Sequence, residues 1–369
     1  MTDFRQHNSI LTINLDTIEK NYHLFQDMAG QNCAVAGVCK ANAYGIGLKE
    51  ITQKLKTLNC PLFFVAGLDE ALSIREYDQD TPIAVLGGLM IGEEKTYTHH
   101  NISPVLNSVT DIENWQSHVR NEGKELPAIL HIDTAMNRLG LSLDEVKNVQ
   151  SNLNGIHLDY IMSHFSCADE KNHELTALQH QRFEKAIAEL PKAQLSLANS
   201  SGLFRSKDYH YGMIRPGYAL YGGNPTPETD NPMQPVVTLE SRILQIRECK
   251  KSESIGYGAS HTFNKNTRTA TVGLGYGDGF LRMHSNEAVL YYNNQPCPVI
   301  GRVSMDLVTI DISGLTGEPP KQGDAIEILG PNQSVDDLAK SADTIGYEIL
   351  TNLGQRYKRI YKDSSAQNI

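Results

Sequence analysis

The chain has 369 residues, of which 40% are hydrophobic and 21% charged. That length exceeds one ordinary domain, and the composition is that of a folded globular protein rather than a disordered one. The formal net charge is −10, so without a long Lys/Arg run the chain is a poor nucleic-acid binder, although a locally basic pocket could still take a small anion.

The longest apolar runs, such as Pro61–Gly67 and Pro82–Gly88, fall far short of the ~20 residues that span a bilayer. The opening Met1-Thr2-Asp3-Phe4-Arg5-Gln6-His7 has no apolar signal core. Six scattered cysteines (33, 39, 60, 167, 249 and 297) form no Cys-x-x-Cys pair. Buried, reduced thiols in a cytoplasmic protein are expected.

In chain order, strand candidates are Ala34–Cys39, Leu62–Ala66, Ile83–Leu86, Ser103–Leu106, Ala128–Ile132, Tyr160–Ser163, Gln194–Ala198 and Met213–Ile214. Helical patterns at Gly47–Leu58, Asp69–Tyr77, Thr110–Asn121 and His173–Leu190 separate several of them. Strand–helix alternation implies parallel strands with right-handed crossovers. Eight such units in about 220 residues predict a (β/α)8 barrel.

The alternation stops near residue 230. Pro225, Pro227, Pro232 and Pro235 mark 224–235 as a linker. Beyond it, Val236–Ile246, Arg268–Leu274, Ala288–Tyr292, Pro298–Val303, Leu307–Ile312 and Ala325–Leu329 read as strands. Only Ser334–Ala342 and part of Ile345–Gln355 read as helix. The expected fold class is α/β plus β. An N-terminal (β/α)8 TIM-type barrel (1–232) precedes a C-terminal mostly β domain (233–369). The strand-like Ile10–Leu15 is a candidate to pack on that second domain.

Barrel active sites lie at the C-terminal ends of the strands. The first strand runs into Val38-Cys39-Lys40-Ala41-Asn42-Ala43-Tyr44-Gly45. A desolvated lysine there can be the neutral amine that forms a Schiff base, or a lysine merely snorkelling at a strand end. Strand six ends at Ser163-His164-Phe165, strand seven at Ala198-Asn199-Ser200-Ser201-Gly202 and strand eight at Ile214-Arg215-Pro216-Gly217-Tyr218. The loops after strands seven and eight suit a phosphate cradle. The plainer readings are a helix N-cap for Asn199-Ser200 and a core histidine for His164.

Taken together, these segments resemble the alanine racemase family, pyridoxal-phosphate enzymes of fold type III. The resemblance continues through Asp133-Thr134-Ala135-Met136-Asn137-Arg138-Leu139-Gly140, Gly256-Tyr257-Gly258-Ala259 and Gly275-Tyr276-Gly277-Asp278-Gly279. It ends with Gly301-Arg302-Val303-Ser304-Met305-Asp306 and Ile345-Gly346-Tyr347-Glu348. It implies a homodimeric alanine racemase that supplies D-alanine for peptidoglycan. Lys40 would carry pyridoxal 5'-phosphate and act as base on one face of the substrate. Tyr257, from the second domain of the partner subunit, would act on the other.

The resemblance also implies that His164 tunes that tyrosine, with Arg215 behind it and facing the pyridine nitrogen. Tyr44, Asn199, Ser200, Gly217, Tyr218 and Tyr347 would surround the cofactor. Arg138, Met305 and Asp306 would bind the substrate carboxylate. The two tyrosines, Tyr257 and Tyr347, should favour a small side chain, alanine first; pockets discriminate one small group by only ~1–3 kcal/mol.

One position departs from the pattern. Many relatives have a carbamylated lysine where this chain has His131. An imidazole has no negative charge, so an anion such as chloride or another side chain must hold Arg138.

Some signals carry less. The glycine-rich 273–279 lacks dinucleotide-binding spacing. His99 and His100 should diverge on a helix, which argues against a metal site. A catalytic pair of Cys167 with His164 has no evident third group. The alternatives to an alanine racemase are a serine or broad-specificity racemase, a non-catalytic cofactor carrier that would have no use for Tyr257, and a decarboxylase of basic amino acids.

Overall fold

The computed structural model describes residue 4 and residues 6–364. Met1–Asp3 and Arg5 of the opening segment therefore lie outside the described residues, as do 365–369. The chain forms two compact units. One comprises Glu19–Leu220 with Asn224–Met233. The other comprises the described residues up to Ile18, Tyr221–Gly223 and those from Gln234 onward.

Strand β1 is Ser9–Asn14, and helix α1 is Leu15–Ala29. The barrel strands are β2 (Ala34–Val35), β3 (Gly37–Val38), β4 (Phe63–Val65), β5 (Ile83–Val85), β6 (Ile102–Leu106), β7 (Leu126–His131), β8 (Ile156–Met162), β9 (Gln194–Ser196) and β10 (Met213–Ile214). Strands β3 to β9 form one parallel sheet in sequence order. The expected first strand is split because its halves serve different neighbours. β2 pairs with β10 and β3 with β4. Backbone bonds from Gly212 N to Leu195 O and from Arg215 N to Ala198 O then join β10 to β9 and its following residues. The result is an eight-stranded (β/α)8 barrel. Its strands read as continuous apolar runs because both faces are covered; Phe63, Phe64 and Val65 are all fully buried.

The helices around it are α2 (Lys40–Tyr44), α3 (Leu48–Thr57), α4 (Leu68–Arg75), α5 (Glu94–His99), α6 (Val109–Glu122), α7 (Leu143–Val146), α8 (Glu174–Ile187) and α9 (Ser200–Leu203). Strand–helix alternation alone does not pick out α1, α5 and α7. In α1, Ile18, Tyr22 and Phe25 recur at i, i+4 and i+7 and are fully buried. The His99 and His100 rings do not diverge as expected. They meet edge to face at 4.8 Å because His100 sits past the helix end.

α2 is not a helix in the ordinary sense. Ala41, Asn42, Ala43 and Tyr44 have φ of 54°, 55°, 50° and 54°. Left-handed backbone costs about 1–2 kcal/mol per non-glycine residue. Glu70 of α4 offsets part of this. Its carboxylate accepts from Asn42 N (3.1 Å) and Ala66 N (2.8 Å).

In the other unit β11 (Val237–Cys249) is the spine. Two hairpin strands follow, β12 (Ser254–Ile255) and β13 (His261–Thr262), then β14 (Thr267–Val272), β15 (Val289–Tyr292), β16 (Gln295–Pro298), β17 (Val308–Asp311), β18 (Ala325–Leu329) and β19 (Lys358–Lys362). The main sheet runs β16-β15-β18-β11-β1-β19, with β14 bridging β11 and β17. Two short helices, α10 (Val335–Lys340) and α11 (Gly346–Thr351), precede β19.

The strand expected at Pro298–Val303 lies earlier, at Gln295–Pro298. Asn293 and Asn294 take φ of 46° and 63° and turn the hairpin there. Gly301, at φ 75°, then ends extended structure. No helix among the described residues is long and apolar enough to cross a membrane.

His284 is fully buried against Phe280, with ring centroids 4.4 Å apart. Ser341 Oγ donates to Leu338 O (2.8 Å), so it accepts from His284 Nδ1 (2.8 Å). Nε2 is left bare, with no hydrogen-bond partner among the described residues. Burial pulls this imidazole down from 6.5 to about 4. The unfolded chain therefore binds a proton there first, and stability is lost as pH falls from 6.5 towards 4. Replacing His284 with Phe should remove on the order of 3 kcal/mol of that acid loss. Urea unfolding across this pH range checks it; an unchanged pH slope would contradict the assignment.

Candidate active site

The strand ends of the barrel gather nine of the sequence-predicted residues: Lys40, Tyr44, Arg138, His164, Asn199, Ser200, Arg215, Gly217 and Tyr218, with His131 beside them. Lys40 follows β3 directly, and the left-handed turn after it carries Tyr44. Burial, then the Arg138 charge, holds the Lys40 amine below its usual value, against the opposing charge of Glu70.

Tyr44 and Gly217 meet so closely that a Cβ on Gly217 would lie 2.3 Å from the tyrosine oxygen. A side chain at 217 would displace the Tyr44 ring. The Gly217 N–H donates to Ser200 Oγ (3.0 Å). Two hydroxyls and a backbone N–H thus converge beside the Lys40 turn. A small anionic group suits such a set, and a nearby amine whose deprotonation is eased by desolvation suits an aldehyde. The residues fit a phosphate-bearing aldehyde cofactor. Asn199 caps α9, accepting from Gly202 N (2.9 Å). Tyr218 is buried.

Arg215 is buried, and both of its terminal nitrogens donate to the barrel. It donates to Ser196 Oγ, to Ser163 O (2.5 Å) and to His164 Nδ1 (3.3 Å). A guanidinium only donates, so His164 Nδ1 must accept and Nε2 must carry the proton. Burial and then Arg215 push His164 well below its ordinary value. It is neutral, with a defined N–H to offer.

His131 is oriented the opposite way. Asn107 Nδ2 donates to Leu86 O (3.0 Å), which leaves its Oδ1 to accept from His131 Nδ1 (2.7 Å). The bare Nε2 has no charge. Burial, then Arg215, lowers this imidazole to about 4. Arg138 follows a loop built on Asp133, whose Oδ1 accepts from Ala135, Met136 and Asn137 N. Arg138 itself is exposed.

Tyr257, Met305, Asp306 and Tyr347 belong to the β unit. Tyr257 is 74% exposed, in a turn between Gly256 and Gly258, both at φ 70°. Tyr347 opens α11 and is also exposed. Met305 and Asp306 sit on a loop locked to the glycine-rich 275–279. Met305 O accepts from Gly277 N (2.8 Å), and Ser304 O accepts from Tyr276 N (3.0 Å). A Cβ on Gly275 would fall within 2.4 Å of both carbonyl oxygens. The glycines exist for this close approach.

Sequence reasoning missed four contributors: Glu70, Asn107, Asp278 and Arg356. Glu70, Asn107 and Arg356 act through partners distant in sequence, so no local motif marks them; Asp278 stands in the quoted glycine-rich motif, which does not reveal its bond to Arg356. Among the described residues, Cys167, Glu170 and His173 form the one group with metal-ligand potential, their donor atoms within 4.8 Å. His173 Nδ1 already accepts from Leu175 N (3.2 Å) as a helix cap.

Comparison with known proteins gives a consistent result. The profile "Alanine racemase, N-terminal domain" matches residues 13–225, and "Alanine racemase, C-terminal domain" matches 236–361. The "Alanine racemase, catabolic" of Agrobacterium fabrum is 42% identical over 355 residues, 95% of this chain and 91% of that protein. The alanine racemase of Rhodospirillum rubrum is 42% identical over 357 residues, 96% of each. The crystal structure of alanine racemase from Bartonella henselae with covalently bound pyridoxal phosphate superposes with TM-score 0.93 at 34% identity, over 96% of this chain and 99% of that one. The biosynthetic alanine racemase from Pseudomonas aeruginosa gives 0.91 at 31%, over 97% and 100%. With both domain profiles matched in order along nearly the whole sequence, the chain belongs to the alanine racemase family.

Proposed function

We infer that this protein interconverts L- and D-alanine with pyridoxal 5'-phosphate as cofactor. The single observation that carries the reading is the half-buried Lys40 amine, its pKa lowered by desolvation and then by Arg138, beside the Tyr44–Ser200–Gly217 cradle. When bound, the cofactor supplies an electron sink that acidifies the substrate α-proton. Lys40 holds the aldehyde end, and Tyr44, Ser200, Gly217 and Tyr218 surround the phosphate. Asn199 fixes the turn that presents Ser200, and Tyr347 completes the cofactor pocket. Arg215 faces the pyridine nitrogen and, being always cationic, disfavours its protonation.

Racemisation removes a proton from one face and returns one to the other. Lys40 Nζ serves one face and the Tyr257 oxygen the opposite face. Tyr257 comes from the partner subunit of a cytoplasmic homodimer whose product feeds the peptidoglycan of the cell wall. The fixed Nε2–H of His164 is the donor that stabilises a tyrosinate there. Both bases must work below their usual pKa near ~10.

Lys40→Ala should abolish both the visible absorbance of the loaded protein and its turnover. Colour and racemisation retained together would refute the assignment. Tyr257→Phe should slow α-proton removal from L-alanine by about a hundredfold or more while leaving cofactor content intact. Heterodimers of the two variants should regain one intact site; inactivity of the mixture would rule out the shared-site arrangement.

Arg138 and the backbone N–H at Met305 bind the substrate carboxylate, with Asp306 nearby. His131 is neutral and brings no negative charge, so a small anion such as chloride balances Arg138. The KM for alanine should then fall as chloride replaces a bulky counter-ion at constant ionic strength. Chloride-independent KM would exclude that anion.

A further inference from the structure

We propose that Arg356 is a positioning residue for substrate binding, anchored by Asp278, which sets the Met305–Asp306 loop and balances its charge. This rests on the assignment of that loop to the substrate carboxylate.

The geometry is a three-pronged grip. Arg356 Nε donates to Asp278 Oδ1 (2.8 Å), Nη1 to Asp306 Oδ1 (2.6 Å) and Nη2 to Met305 O (3.4 Å). Asp278 is the fixed end. It is buried, its other oxygen accepts from Gly275 N (2.9 Å), and its carbonyl accepts from Gly354 N (3.0 Å). Asp306 is the free end, more than half exposed. A planar guanidinium with donors on three sides can hold all three acceptors at once, which an ammonium cannot. The grip therefore transmits the position of a buried carboxylate to an exposed loop.

Charge adds a second role. A bare Asp306 carboxylate beside Met305 would repel an incoming carboxylate. Arg356 offsets that charge without using the backbone N–H of Met305, which stays free of the grip because only the Met305 carbonyl takes part.

The test is steady-state kinetics on the cofactor-loaded dimer. Arg356→Ala should raise the KM for alanine about ten- to a hundredfold, the usual effect of losing a charged hydrogen-bond partner. The change in kcat should be much smaller, and cofactor content should stay at the wild-type level. Guanidinium ion added to Arg356→Ala should lower KM again. Adding Asp306→Asn to Arg356→Ala should also recover part of the loss, by removing the unbalanced charge. Arg356→Lys should fall between wild type and alanine. A KM within twofold of wild type would overturn the proposal. So would a parallel fall in kcat, cofactor content and thermal midpoint without guanidinium rescue, which would mark a merely structural residue. Failure here with Lys40→Ala still inactive would leave the racemase reading intact; an active Lys40→Ala would defeat that reading instead.

Discussion

The buried guanidinium of Arg215 is the interaction around which the barrel mouth is arranged. A charge so far from water is tolerated only when its donors are satisfied. Here they reach Ser196, Ser163, Leu197 and His164. Those partners follow or end two different strands, β8 and β9, while Arg215 itself follows β10. One side chain therefore ties three adjacent strand ends together. It also fixes which nitrogen of His164 carries a proton, and its field helps keep both His164 and His131 neutral.

Strain and glycine do complementary work on the two units. On the barrel, four consecutive non-glycine residues adopt left-handed backbone directly after Lys40. Such a run persists only where the surroundings over-determine it, and that is common at functional sites. Glu70 and the Asn42 side chain supply part of the constraint; Asn42 Oδ1 accepts from Leu48 N (2.8 Å). On the β unit the solution is the reverse. Gly275 and Gly277 remove side chains so that two backbone segments can touch, and Arg356 locks the contact. In both cases the candidate site residue sits on a loop, and its precision comes from hydrogen bonds outside the loop's own sequence.

Much of this was legible in the amino-acid order. Apolar runs such as Phe63–Val65 announce buried parallel strands because both faces are covered. The lysine at the end of the first strand and the glycine after the last fall at the barrel mouth by strand counting alone. The glycine-rich 275–279 could be excluded as a dinucleotide loop from its spacing. Its actual task could not be read, because the partner loop lies some thirty residues away in sequence.

What the sequence determined by itself was the alternation of elements, the change of texture near residue 230 and the chemical types at the strand ends. These follow from local periodicity and from motifs a few residues long. The tertiary structure decided which nitrogen of His131 and of His164 bears the proton, how closely Gly217 meets the Tyr44 ring, and that Arg356 reaches Met305 and Asp306. Each of those depends on atoms brought together from distant segments. Side-chain hydrogen bonding between such segments leaves no periodic trace in a chain, and only the folded arrangement supplies it.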